Sequence, residues 1–154
     1  MTTTNNVEIL LVDDDPSDIE LTIHVLRSNH LANAIHVAED GQEALDFVFC
    51  RGAFASRAAD VRPKVILLDL KLPKVSGIDV LRTLKADERT RAIPVVILTS
   101  SKEQRDLIDG YKLGVSAYIQ KPVDFVEFRN TVKEIGLFWL VVNQPPPAEV
   151  FPSG

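Results

Sequence analysis

Ile9-Leu10-Leu11-Val12-Asp13-Asp14-Asp15-Pro16 is the stretch on which the fold turns. Four aliphatic residues run without polar alternation, which suits a short strand buried on both faces, as in a parallel sheet covered by helices. Asp15-Pro16-Ser17-Asp18 then supplies cap-type residues ahead of the helical stripe Ile19, Thr22, Ile23, Leu26. Two more runs share this character: Val65-Ile66-Leu67-Leu68, ending in Asp69, and Val95-Val96-Ile97-Leu98, ending in Thr99-Ser100-Ser101. Weaker strands are expected at 34–38 and at 117–120, the latter ending in Lys121-Pro122. Pro94 opens the fourth strand, where a missing N–H is tolerated. Helices are expected over 17–29, 42–50, 77–86 and 102–113, with a last one running from Asp124 into the region of Leu140. Strand and helix thus alternate five times, the α/β pattern.

Composition narrows the function classes. A chain of 154 residues is one domain's worth, and 45% hydrophobic with 25% charged residues is ordinary for a globular core. Seventeen Lys and Arg against 22 Asp and Glu leave −5, the wrong sign for a nucleic-acid footprint. One cysteine, Cys50, excludes an intramolecular disulfide and fits a reducing compartment. The opening Met-Thr-Thr-Thr-Asn-Asn has neither the basic nor the apolar part of a signal peptide, and no run approaches the ~20 apolar residues of a membrane span. A cytoplasmic protein without nucleic-acid or membrane partners is expected. Residues 1–6 should be disordered, 7–143 form the folded body, and 144–154, with Pro145, Pro146, Pro147 and Pro152, form an extended tail. The long connection 51–63 holds Phe54 and several alanines, enough for one helical turn.

In open parallel sheets, ligands sit outside the carboxyl ends of the strands. There this chain carries Asp13, Asp14, Asp69, the hydroxyl of Thr99 and the ammonium of Lys121. Clustered carboxylates repel unless a cation intervenes, and a hard cation such as Mg²⁺ takes oxygen ligands and shares sites with phosphate. One aspartate can accept a phosphoryl group, with a hydroxyl and a Lys holding the phosphoryl oxygens. Any one of these residues alone has a plainer reading: an Asp after a strand is often an N-cap, as for Asp15, Asp18 and Asp124. Complementary chemistry on four strand ends at once is what gives the pattern its specificity.

With Leu10–Pro16, Leu67-Leu68-Asp69-Leu70-Lys71-Leu72-Pro73 and Gly77, Val96-Ile97-Leu98-Thr99-Ser100, and Tyr118-Ile119-Gln120-Lys121-Pro122, the chain resembles the receiver domain of two-component response regulators, from near Val7 through Glu134. The resemblance implies a doubly wound, flavodoxin-like (βα)5 fold with strand order 2-1-3-4-5. It implies Asp69 as phosphoacceptor and metal ligand, Asp14 as a direct and Asp13 as a water-mediated ligand of Mg²⁺ or Mn²⁺, and the Lys71 backbone carbonyl as a further ligand. It further implies Thr99 as switch hydroxyl, Lys121 as the phosphoryl-pairing ammonium, Tyr118 as switch aromatic and a cis bond before Pro122. Ser100 stands where Ala is frequent, a small residue that still admits a phosphoryl group. The long connection before the third strand and the segment Phe138-Trp139-Leu140-Val141-Val142-Asn143-Gln144-Pro145-Pro146 resemble single-domain regulators that partner phytochrome histidine kinases. Such a protein takes phosphoryl from a sensor histidine kinase and switches a surface for a downstream protein.

Two rivals remain at this level. A haloacid-dehalogenase-like phosphatase also uses Asp, Mg²⁺, a hydroxyl and Lys, but places its nucleophile on the first strand and leaves Asp69 without a role. A receiver-like interaction module that is never phosphorylated would not need the full set. His24, His30 and His36 lack a second metal ligand in sequence, Cys50 reads as a small buried hydrophobe, and Phe125, Phe128 and Phe138 read as one face of the last helix. Leu137, Phe138, Trp139, Leu140, Val141 and Val142 are apolar on every side of a helix, more than one sheet face can cover, so homodimerisation through Phe138, Trp139 and Leu140 is expected. The alternative is that the segment folds back over its own domain.

Overall fold

The computed structural model describes residues 9–28, 34–57, 62–100 and 102–136. Phe138, Trp139, Leu140, His30, the N-terminal residues 1–8 and the tail at 144–154 lie outside them. Five strands, β1 (Ile9–Val12), β2 (Ile35–Ala38), β3 (Val65–Asp69), β4 (Val95–Thr99) and β5 (Ala117–Gln120), form one parallel sheet in the order β2-β1-β3-β4-β5. Helices α1 (Pro16–Ser28), α2 (Gly41–Val48), α3 (Gly77–Ala86), α4 (Lys102–Tyr111) and α5 (Phe125–Glu134) connect or follow them. A short 3-10 turn, Gly52–Phe54, occupies the connection before β3.

The unalternating runs are buried throughout, every residue of β1, β3 and β4 being covered. Their side chains nonetheless divide by parity between two cores, as the pleat requires. Leu10, Val12, Ile66, Leu68, Val95 and Ile97 meet Ala44, Phe47 and Val48 of α2, Val80, Leu81 and Leu84 of α3, and Ile108 of α4. Ile9, Leu11, Val65, Leu67, Val96, Leu98 and Ile119 meet Leu26 of α1 and Phe128 and Val132 of α5. Emptying any of the Leu, Ile or Phe positions among these to Ala costs about 2–5 kcal/mol. The edge strands β2 and β5 are only partly covered, which is why their sequence signal is weaker.

Helix starts follow the capping residues. Asp15 Oδ1 accepts the amides of Ser17 (2.9 Å) and Asp18 (3.3 Å), with Pro16 opening α1. Asp40 caps α2 by accepting from Glu43 N at 2.7 Å, while Glu43 Oε1 reaches back to Glu39 N at 3.1 Å. Asp124 caps α5 through Glu127 N. Asp18 is not a cap: it sits in the first turn of α1 and its side chain leaves for another partner. The last helix also departs from expectation. It ends at Glu134, not near Leu140, because Gly136 adopts φ 86° and donates its N–H back to the Lys133 carbonyl at 3.1 Å, closing the helix. Helix α4 likewise stops at Tyr111, short of 113, with Lys112 left-handed at φ 52°.

Candidate functional site

In-register pairing of parallel strands brings the residues after Val12, at Asp69 and at Thr99 to one edge. The sheet pairs Val12 with Leu68, Asp69 with Leu98, and Thr99 with Gln120. Asp13, Asp14 and Asp69 thereby each offer one carboxylate oxygen, all within 4.8 Å of one another. Asp13 is fully buried, Asp69 nearly so, and Asp14 exposed.

Lys121, just past β5, reaches into this cluster. Its Nζ lies 3.0 Å from Oδ2 of Asp13, Asp69 and Asp18, and its side chain is 13% exposed. It donates aligned hydrogen bonds to Asp18 and Asp69, whereas the contact to Asp13 is an ion pair that leaves Oδ2 without an aligned donor. Burial alone would lower the Lys121 pKa, but Asp18, Asp69 and Asp13 outweigh it and hold the ammonium above its ordinary value. Burial pushes the Asp13 carboxyl up, against the Asp15 N–H at 3.0 Å and the charge of Lys121; the neighbouring Asp69 adds to the rise. A buried carboxylate oxygen without an aligned donor, beside two more acids, is a hard-oxygen donor set that fits Mg²⁺ or Mn²⁺.

The loop after β3 is held tightly. Lys71 N donates to Asp69 Oδ1 at 3.3 Å, and Lys71 itself is exposed. Gly77 N donates to the Leu70 carbonyl at 3.1 Å, and a Cβ on Gly77 would stand 2.4 Å from the Asp69 carbonyl oxygen. Only glycine allows α3 to begin this close to the strand end.

Thr99, buried at the end of β4, lines a cleft of about 260 Å³ with Lys102, Arg105, Tyr118, Gln120 and Glu127. Its carbonyl accepts the Lys121 amide at 2.8 Å, and the exposed Ser100 donates its N–H to Gln104 Oε1 at 2.9 Å. Tyr118 lies half-buried on β5. Its hydroxyl donates to Asp109 Oδ1 of α4, and the Arg105 guanidinium sits 4.8 Å from its ring centre. Burial first, then the bond to Asp109, pushes the phenol up from its ordinary value. The Lys121–Pro122 peptide is cis.

Two contacts were not legible in the sequence. From sequence Asp18 reads as one more capping acid, and its pairing with Lys121 spans 103 residues of chain. The Asp109–Tyr118–Arg105 set joins α4 to β5 with no motif to announce it.

The chain places acids, a hydroxyl and an ammonium at the carboxyl edge of a five-stranded parallel sheet, and residues 9–133 match the response regulator receiver domain. The chain belongs to that family, which sets aside the haloacid-dehalogenase reading. Among curated relatives it is similar to the response regulator Rcp1 of Synechocystis sp. (35% identical over 140 residues, covering 91% of this chain and 93% of Rcp1). It is also similar to the probable methanogenesis regulatory protein FilR2 of Methanothrix harundinacea (38% over 138 residues, 90% and 86%). Among solved structures it is similar to the bacteriophytochrome response regulator RtBRR, with TM-score 0.83 and 46% identity over 94% of this chain and 86% of that one. Rcp1 has been solved in an Mn²⁺-bound form, at TM-score 0.70 and 34% identity over 92% of this chain and 99% of that one. No helix among the described residues is long and apolar enough to cross a membrane.

Proposed function

We propose that this chain is a phosphorylation-controlled switch in which Asp69 accepts a phosphoryl group from a histidine of a phytochrome-type sensor kinase, with Mg²⁺ or Mn²⁺ as cofactor. The observation that carries the reading is Lys121 Nζ at 3.0 Å from both Asp13 and Asp69, with Asp14 completing an acidic cluster on the same edge. A carboxylate oxygen of Asp69 forms a bond to phosphorus as the P–N bond breaks and the electron pair returns to the kinase imidazole. When bound, the divalent ion neutralises charge on the phosphoryl oxygens. Asp13, Asp14 and Asp69, with the Lys71 carbonyl, would hold it. The Lys121 ammonium pairs with a phosphoryl oxygen, and the Thr99 hydroxyl donates to another. Ser100, small and exposed, leaves room beside them.

Drawing Thr99 toward the phosphoryl group changes the cleft it shares with Tyr118, so the Tyr118 ring has a reason to leave Asp109. That gives the switch two packings of the α4–β5–α5 face, the bistable element that such signalling requires. The readers of that face are a downstream protein and a second copy of the chain, the latter through Phe138, Trp139 and Leu140. Similarity to RtBRR supports a bacteriophytochrome-type kinase as the phosphoryl source.

The test is intact-protein mass after incubation with acetyl phosphate and Mg²⁺. The wild type should gain the mass of one phosphoryl group, and Asp69→Asn none. Equal gain by both would overturn the assignment, and no gain by either would favour an interaction module that is never phosphorylated.

A further inference from the structure

Asp18 stands outside the residues assigned above, yet it makes one of the two aligned hydrogen bonds that Lys121 donates. We propose that Asp18 is a positioning residue that competes with the phosphoryl group for Lys121, so that phosphorylation of the site frees the first turn of α1. The proposal rests on the reading of Asp69 as phosphoacceptor.

An ammonium has three N–H donors and no more. Here three carboxylates crowd it, each at 3.0 Å. Once Asp69 carries the phosphoryl group its carboxylate charge is gone, and an ammonium that moves out to a phosphoryl oxygen, beyond Asp69 Oδ, must loosen its hold on Asp13 or Asp18. Their exposures decide which. The side chain of Asp13 is 0% exposed and that of Asp18 is 32% exposed. Freeing a buried carboxylate strands a charge away from water, whereas freeing Asp18 lets water replace the ammonium at small cost. Asp18 is therefore the partner that yields. Its backbone is meanwhile fixed to the acidic loop: Asp15 Oδ1 accepts the Asp18 amide at 3.3 Å, and Asp13 Oδ1 accepts the Asp15 amide at 3.0 Å. The ring Asp13–Asp15–Asp18–Lys121 joins the loops after β1 and β5 through the start of α1, and phosphoryl pairing opens it at its most solvated link.

It follows that Asp18 weakens capture of a phosphoryl-like anion in this protein. Beryllofluoride with Mg²⁺ is the probe, its affinity read by fluorine NMR titration on the full chain. Asp18→Asn should tighten binding by about three- to tenfold, the range for one charge-assisted hydrogen bond discounted for partial exposure. Asp15→Asn removes the same charge from the same turn, keeps the cap, and lies outside the ion pairs of Lys121; it should shift the affinity by less than about twofold. Equal tightening by both variants would reduce the effect to general charge and overturn the proposal, as would unchanged or weakened binding in Asp18→Asn. Failure of the wild type to bind beryllofluoride at all would overturn the phosphoacceptor reading and this proposal with it.

Discussion

The carboxyl edge of the sheet and the corner built by β2, α2 and the Gly52–Phe54 turn both gather charge, and they handle it in opposite ways. In the corner each acid has its own partner. Asp40 meets Lys74 at 3.4 Å, Asp46 meets Arg51 at 3.1 Å, and Glu43 meets His36 at 3.5 Å while also accepting the Glu39 amide. The rings of His36 and Phe47 stack at 4.0 Å, Phe54 packs edge-on to both, and Arg57 lies 3.7 Å from the Phe47 ring centre. At the edge, Asp13, Asp18 and Asp69 share Lys121, and Asp14 stands beside them. A balanced cluster holds a fold together. An unbalanced one favours a further cation, and that deficit is the physical signature of the site.

The largest effects should come from the two glycines that close these regions. A Cβ on Gly77 would lie 2.4 Å from the Asp69 carbonyl oxygen and 2.6 Å from Leu70 Cα, and one on Gly41 would lie 1.9 Å from the Val75 carbonyl oxygen. Backbone atoms cannot swing aside, so Gly77→Ala and Gly41→Ala should each cost about 1–3 kcal/mol in urea unfolding. Only Gly77→Ala should also impair phosphoryl uptake, because it displaces the strand end that carries Asp69. A loss below 0.5 kcal/mol in either, roughly the scatter of neutral surface changes, would show that the loop relaxes freely.

A pair of charge removals should differ in sign. Asp13→Asn keeps an oxygen for the Asp15 amide and relieves a buried negative charge, so in chelator it should stabilise the protein by about 1 kcal/mol. Asp46→Asn breaks a half-exposed, balanced pair and should destabilise by less than about 1 kcal/mol. The same sign for both in thermal or urea unfolding would break the contrast between edge and corner.

The smallest effect concerns pH. Burial lowers the His36 pKa from its ordinary value of 6.5, against the pull of Glu43. The unfolded chain then binds the proton more readily than the fold. His36 therefore contributes stability above pH 6.5 that is progressively lost as the pH falls below it. Melting temperature should decline over that window in the wild type and decline less in His36→Gln. Identical pH slopes would remove His36 from the account.

The same contrast explains what could be read in advance. The fully buried strands β1, β3 and β4 announce themselves as unbroken aliphatic runs, and the acids, hydroxyl and lysine follow them directly in the chain. Parallel pairing does the rest, so Asp13, Asp14, Asp69, Thr99 and Lys121 were visible from sequence. Asp18 was not, because a capping acid and an ion-pair acid have the same side chain and only tertiary distance separates them. The end of α5 was misplaced for a local reason: apolar residues past Gly136 suggested continuation, but the left-handed glycine stops the helix first. The corner was also silent, since its ion pairs and stacked rings join three elements without any periodic pattern.

Divalent-cation binding tests the charge-deficit claim most directly. Titration of the metal-free protein with Mn²⁺, followed by electron paramagnetic resonance of the free ion, should show one site. Asp14→Ala should abolish it or weaken it at least about tenfold, in line with losing one of few protein ligands, while Asp46→Asn in the corner leaves it unchanged. Binding that survives Asp14→Ala, or that falls equally with Asp46→Asn, would contradict the account.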